Sequence, residues 1–461
     1  MELLRTMHKG VFLLTNIHLH ENGIGKPSMK FIKNIYIRTQ QFIKNQPSSV
    51  NYGIDGLFVA GAMGIAANNN NLFAMRLGAT STQLGMLHFF PSLFALILII
   101  PAGLFTDSLK NKRRMISVML FLAAIFFIVV STSAFIPIHT VYFFLIFFAL
   151  AAVSVNGLYN LAWQSFFPEA VPDKDRNTVL TFRARMTMIV SMIAPLLIGE
   201  ILTAIPSDEG KIRTHQLFYV LAALLLVINA FHFRKIKAVL PAKPQRISFA
   251  EMKTASKRLL SNKQFVFFTL AILFFHMTWH FDWTLYFIGQ ATYLQMNERM
   301  LMLAPVTSTL AQLITLKFWS KMTARRGSEI PLAYGILGLC LNPIAMIVGT
   351  SLPAPVGMYV FLVLHFIAMF TFANITLNIF QCLLKVVDEE CRSFSISVYS
   401  CLIMISNAVM PMVGVAIYNG LGGNLDALRI TFVIAFVVRI VAMGLWILRV
   451  KYFKRGEVKS I

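Results

Sequence analysis

The chain has 461 residues, 57% of them hydrophobic and only 13% charged, with a mean hydropathy of +0.69 and a formal net charge of +22. A soluble domain carries about 25% charged residues, so this composition excludes an ordinary soluble protein and points to a chain embedded in lipid. The cations lie in alternate loops between apolar runs, with no separate polar domain to dock on a duplex, so the basic balance does not indicate nucleic acid.

Residues 1–50 are polar and basic (Lys26, Lys30, Lys33, Arg38, Lys44), with Phe31, Ile35 and Phe42 interleaved. They read as an amphipathic arm on an anionic membrane face or as a partly ordered tail. Val11-Phe-Leu-Leu14 is too short for the apolar core of a signal peptide, and Met29 opens a second plausible start. Apolar runs of about 20 residues follow, the length a helix needs to cross ~30 Å of hydrocarbon. They predict spans near 52–73, 83–105, 115–136, 140–164, 181–204, 214–232, 264–288, 298–320, 331–350, 356–384, 395–418 and 428–448, twelve in all. Most of the 41 Lys and Arg fall on the arm, on the loops after even-numbered spans and on the tail. The opposite loops hold only Arg76, Lys211, Arg213, Arg299 and Arg429. The positive-inside rule therefore expects both termini in the cytoplasm, with the chain integral to a plasma membrane such as the bacterial inner membrane.

The longest interior polar segment, 233–263, contains Pro241 and Pro244 and divides the spans six and six. The expected organisation is an arm over 1–50, a six-helix bundle over 51–232, a basic linker over 233–263, a second bundle over 264–450 and a tail over 451–461. Ser248-x-x-Glu251 has the pattern of a capping box, which would open a short basic helix through Lys257 and Arg258 on the membrane surface.

A short polar loop follows the second span, Gly103-Leu-Phe-Thr-Asp107-Ser-Leu-Lys110-Asn-Lys112-Arg113-Arg114. Its glycine permits close approach of helix ends, and its carboxylate suits a neighbouring helix N-terminus. The two halves also repeat. The segment Phe105–Arg113 aligns with Phe318–Arg326, Asn156 and Asn160 with Asn374 and Asn378, and Pro195 and Gly199 with Pro411 and Gly414. The loop resembles the signature between the second and third spans of the major facilitator superfamily, Gly-x3-Asp-(Arg/Lys)-x-Gly-x-(Arg/Lys)-(Arg/Lys). Ser108 stands where a cation is usual and Lys110 where a second glycine is usual. The resemblance covers about 51–450. It implies an all-α membrane fold of twelve helices in two six-helix pseudo-repeats, rocking around a central site lined by spans 1, 4, 7 and 10. It also implies a cytoplasmic gate in which Gly103 and Asp107 meet the start of span 11 near Ser393, Ser395 and Ser397. Lys112 and Arg113 would flank that contact, and Arg176 would contribute from the loop after span 4.

Polar residues within spans are costly, so each is a candidate for function. Span 4 carries Asn156, Asn160, Trp163 and Gln164 on one helical face, and span 10 carries Asn374, Asn378 and Gln381. Amides donate and accept, so two such stripes suit a neutral or zwitterionic solute; interhelical bonding is the alternative reading. Span 7 gathers His276, Trp279, His280, Asp282 and Trp283. His276, His280 and Trp283 share a face, whereas Asp282 lies about 200° round from His280 at roughly 100° per residue. A His–Asp relay therefore requires the helix to unwind. Asn68 in span 1, with Gln83 and His88 in span 2, extends the candidate cavity outward. Asp55 reads as the start of span 1, Glu200 as near the surface, and Arg439 lies too deep in span 12 to snorkel, with no legible partner.

Two histidines at i, i+4 want further ligands and the four cysteines show no C-x-x-C spacing, so neither a metal site nor a cofactor is expected. No Gly-x4-Gly-Lys-(Ser/Thr) loop signals ATP-driven pumping. No cluster of acids or paired nucleophile and base signals an enzyme. The sequence reads as a secondary transporter moving a small solute by alternating access. Protons or another ion are the candidate coupling species through His276, His280 and Asp282, and a monomer is expected. A multidrug efflux antiporter is one alternative, although span 4 lacks an arginine in its apolar part and Ser191–Gly199 keeps only one proline and one glycine. A non-transporting sensor or scaffold is the other.

Overall fold

In hydrocarbon every backbone N–H and C=O must be bonded within its own segment, so a chain of this composition folds as helices. The computed structural model describes residues 47–109, 111–136, 139–236, 256–387 and 392–459. Among them twelve helical stretches are long and apolar enough to cross a membrane, and there is no strand. In chain order, spans 1 to 6 are Ser48–Arg76, Ser81–Ile99, Lys112–Phe135, Thr140–Ala170, Thr178–Ala204 and Asp208–Phe233. Spans 7 to 12 are Lys263–Tyr293, Glu298–Arg326, Glu329–Thr350, Ala354–Val386, Ser395–Gly420 and Leu425–Phe453. The helix of span 2 continues to Ser108 and that of span 5 starts at Asp173. The helices overrun the apolar stretches at most ends, because polar and charged residues complete the last turns. Thr80 illustrates this at span 2: its hydroxyl accepts from the Gln83 N–H at 3.3 Å while its own N–H donates to Gln83 Oε1 at 2.9 Å. Gln83 is thus a cap, not a cavity residue. The expected Ser248–Glu251 cap lies outside the described residues.

Spans 1, 5 and 6 pack together in the first half, and spans 7, 11 and 12 in the second. The halves meet where span 2 lies against span 11 and span 5 against span 8. Span 1 comes close to span 5 because Gly56 has no side chain; a Cβ there would stand 2.7 Å from Cγ of Arg183. One apolar core runs through the first half and on into residues 285–304 and 415–432 of the second. The other core, including Phe268, Phe275, Ile336 and Trp446, belongs to the second half alone. The first is continuous across the end whose loops carry few cations. The second lies at the cation-rich end.

Four spans are irregular near their middles. Span 4 contains a π turn at Ser154–Tyr159, span 7 breaks at Phe281–Asp282, span 9 at Cys340, and span 10 has a 3-10 turn at Met369–Thr371. Irregular backbone at membrane depth is tolerated only where it is buried in protein or lines a polar cavity. At span 7 the buried break is closed on one side by Gly414, where any Cβ would collide with the Phe281 carbonyl oxygen.

Candidate functional site

At the cation-poor end the halves are bolted together by polar contacts. Glu298, opening span 8, takes an ion pair from Arg76 at the end of span 1 and another from Lys211 Nζ of span 6 at 2.7 Å. Arg299 pairs with Glu200 at 2.6 Å, and its N–H donates to Thr203 Oγ1. Glu200 therefore joins the halves instead of ending at the surface alone. Ser81 and Thr82 of span 2 bond Asn419 of span 11. Deeper, Asn407 donates to Ser92 Oγ at 3.0 Å, and the His88 ring lies 5.3 Å from that of Trp283. These hydrogen bonds, ion pairs and ring contacts between the halves lie at this end or at mid-span. Glu298→Gln removes the shared anion and leaves Arg76 and Lys211 unbalanced. Loss of about 1.4 kcal/mol of closure would shift the closed-to-open ratio about ten-fold. Val415, 1% exposed beside Gly85, provides the check: maleimide labelling of Val415→Cys should rise about ten-fold in the Glu298→Gln background.

Below this closure, four of the predicted residues come together. His88, His276, His280 and Trp283 form one cluster with Trp279 and Phe372. His280 lies 4.5 Å from the Trp283 ring, Trp279 5.5 Å from Trp283 and 5.3 Å from Phe372. His280 Nδ1 contacts Ser406 Oγ at 3.1 Å, and longer contacts run from His280 to His276 (3.4 Å) and on to Tyr399 OH (3.5 Å). Spans 7 and 11 are thereby tied by a row of proton-exchanging groups.

Asp282 is not part of this row. The helix does break beside it, but its carboxylate turns away and receives Arg439 Nη2 of span 12 at 2.6 and 2.7 Å. Arg439 also donates to the carbonyls of Leu339, Thr278 and Trp279, at or one turn before the breaks in spans 9 and 7. The guanidinium and the interrupted backbone satisfy each other.

Asn374 and Asn378 also depart from expectation. Both are fully buried, and neither faces the space between the halves. Asn374 donates to the Pro331 carbonyl of span 9, Asn378 donates to Asn374, and Thr323 of span 8 donates to Asn378 Oδ1 at 3.0 Å. They join spans 8, 9 and 10. Gln381, one turn on, is exposed. In span 4 the equivalent amides differ: Asn156 and Gln164 are exposed and Asn160 is half-buried, donating only to the Asn156 carbonyl. Asn68 is half-buried and donates back to Gly64 O at 2.6 Å.

Trp163 is buried away from exposed Gln164, about 100° round the same regular helix segment, and it joins a site the sequence did not reveal. Asp55, fully buried, accepts from Tyr159 OH (2.7 and 2.9 Å), Trp163 Nε1 (3.1 Å), Asn229 Nδ2 (3.0 Å) and Arg183 Nε (3.2 Å). The Arg183 guanidinium lies 4.4 Å from the Trp163 ring centroid. Spans 1, 4, 5 and 6 thus share one carboxylate. Arg183, a cation inside the expected fifth span and near its start, was the available signal.

Of the expected gate, Gly103 and Asp107 lie in the last turns of the helix of span 2 and Ser393 in the first turn of the helix of span 11, and the side chains of Asp107 and Ser393 are outside the described part of the structure. Lys112 Nζ pairs with Glu169 at 2.7 Å, joining spans 3 and 4. Arg113 donates to the Ile236 carbonyl, and Arg176 donates to the carbonyls of Pro168 and Val171 at the end of span 4. These cations bind the helix ends of the first half to one another.

Comparison with known proteins agrees with this architecture. The family model of the Major Facilitator Superfamily matches residues 56–389. No curated protein matches the chain. Among solved structures, a mutant form of the nucleoside transporter NupG superposes with a TM-score of 0.69 at 12% identity, covering 87% of this chain and 99% of the other. A bacterial homologue of the iron transporter ferroportin, in an inward-facing state, gives 0.67 at 12% identity over 87% and 98%. A D-xylose–proton symporter gives 0.63 at 13% identity over 87% and 95%. At these identities the likeness concerns the fold. With the family model spanning most of the chain and twelve helices in two packed halves, the protein belongs to the major facilitator superfamily.

Proposed function

We propose that the protein is a secondary transporter that moves a small solute by alternating access, with 51–232 and 264–450 as the two rocking bodies and 233–263 as their linker. One observation carries the reading: ion pairs and hydrogen bonds join the halves at the cation-poor end and at mid-span, around helices whose regular geometry is interrupted there. Broken helices at mid-membrane are where transporters of this construction place their sites. The cation excess supports a cytoplasmic cation-rich end, and the bonds at the opposite end support a conformation closed to the outside; we take the carrier to be a monomer in a plasma membrane. Exposed Asn156, Gln164 and Gln381 fit a polar path along spans 4 and 10.

We assign coupling to protons, through the row Tyr399–His276–His280–Ser406. The likeness to a D-xylose–proton symporter supports a proton-linked cycle. Asp282 is left out of that role because Arg439 occupies it. Neither efflux of drugs nor a sensor without transport has a feature of its own in the structure.

The test needs no known substrate. With native cysteines replaced by serine, Gln164→Cys is expected to react with a membrane-impermeant maleimide from the cytoplasmic face, and Val415→Cys to be protected. Adding Glu298→Gln should lower the first reactivity as it raises the second. Reactivities that fail to move in opposite directions would sink alternating access. Labelling of Gln164→Cys from the outer face of intact cells would overturn the orientation.

A further inference from the structure

We infer that Trp279, Trp283, Phe372 and His88 form a stacking site for an uncharged, flat heteroaromatic ring of nucleobase size, an assignment that rests on the transporter reading above. The indole planes of Trp279 and Trp283 meet at 82°, and the Phe372 and His88 rings stand at 64° to Trp279 and Trp283 respectively. All four residues are half-buried, so parts of these rings remain uncovered. A corner of inclined aromatic faces holds a flat ring by stacking on one wall and edge contact with the next.

The indole N–H groups point to the same class. The chain has five tryptophans. Trp163 donates to Asp55, Trp319 to the Phe370 carbonyl and Trp446 to the Glu329 carbonyl. Trp279 and Trp283 have no hydrogen bond among the described residues. A tryptophan that only fills core normally finds a partner for its N–H. Two unspent donors beside the open faces match a solute that carries ring nitrogens and carbonyl oxygens at its edge.

Charge narrows the class further. The carboxylate nearest in sequence, Asp282, is taken by Arg439 and turned to span 12, and Asp55 is held by four donors elsewhere in the first half. The polar neighbours of the corner are His276, His280, Ser406 and Tyr399, none of them a fixed charge. A charged solute would lose its hydration without gaining a counter-ion. A sugar would find stacking walls but no carboxylate to bond its hydroxyls in pairs. The corner also straddles the seam, with His88 from one half and Trp283 from the other, beside the Ser92–Asn407 bond. A ring bound there touches both halves and so acquires different affinities as they rock, which a transported solute requires.

The experiment is binding to the purified full-length protein in nanodiscs, read by quenching of tryptophan fluorescence and by thermal shift. The probes are uridine, adenosine and adenine, against D-xylose, choline and leucine. Saturable binding of at least one of the first three, and none of the others, is expected. Trp283→Leu and Trp279→Leu should each weaken it about ten-fold or more. Trp283→Phe, which keeps a ring but no N–H, should give a smaller loss and serves if a leucine variant does not fold. Preferential binding of xylose, choline or leucine overturns the assignment. So does ring binding untouched by these variants, or no binding by protein that still shows the opposed cysteine reactivities; that last result would leave the transporter reading standing. Absence of those opposed reactivities would instead remove the reading on which the site rests.

Discussion

Arg439→Met is expected to destabilise the second half by about 3–5 kcal/mol, because it leaves a carboxylate buried without its counter-ion. Asp282 is wholly buried and the Arg439 side chain is 1% exposed, so water cannot take the missing partner's place. Arg439 also serves backbone: the carbonyls of Thr278, Trp279 and Leu339 lose their donor with it. Asp282→Leu alone should cost a similar amount by stranding the guanidinium. The double variant Asp282→Leu/Arg439→Met should recover a large part of either loss, since no uncompensated charge remains. Thermal unfolding in detergent measures all three. If the two single losses simply add in the double variant, the pair is not the coupled unit described here. Because the pair holds the break in span 7, the single variants are also expected to disorder Trp279 and Trp283 and blunt their fluorescence response to solute.

Asp55→Asn should be the next most damaging change, at about 3 kcal/mol. Four groups donate to this carboxylate, and an asparagine would turn one acceptor into a fifth donor in a cradle built only of donors. Arg183→Gln is expected to cost less. The Arg183 side chain is 21% exposed, so solvent already screens part of the ion pair, and Tyr159, Trp163 and Asn229 still satisfy the carboxylate. The order of the two losses, compared in one unfolding series, is the check. A larger loss from Arg183→Gln would mean that the cation, through its contact with Trp163, holds spans 4 and 5 more firmly than the carboxylate does.

These two pairs also mark where sequence reading stops. The twelve spans were legible, because spanning a bilayer depends on the length and apolarity of one continuous stretch. The location of the span 7 cluster was legible too, because histidines and tryptophans stand out in an apolar run. The faces were only partly so. Asn156 and Asn160 carry the same spacing as Asn374 and Asn378, yet one pair is at least partly open and the other sealed against spans 8 and 9. Helical periodicity shows which residues share a face, and only the packing shows what stands opposite. Trp163, expected on the amide face, instead donates to buried Asp55.

Composition, run length and the internal repeat by themselves determined that this chain is a twelve-span membrane protein of two related halves, since each is set residue by residue along the chain. The partner of Arg439, the hub at Asp55 and the corner at the seam were decided only by tertiary structure. Burying a polar group in lipid is costly enough that it must find a partner, but helix crossings bring that partner from 157 residues away at Asp282 or 128 at Arg183. Local pattern carries no record of such a meeting.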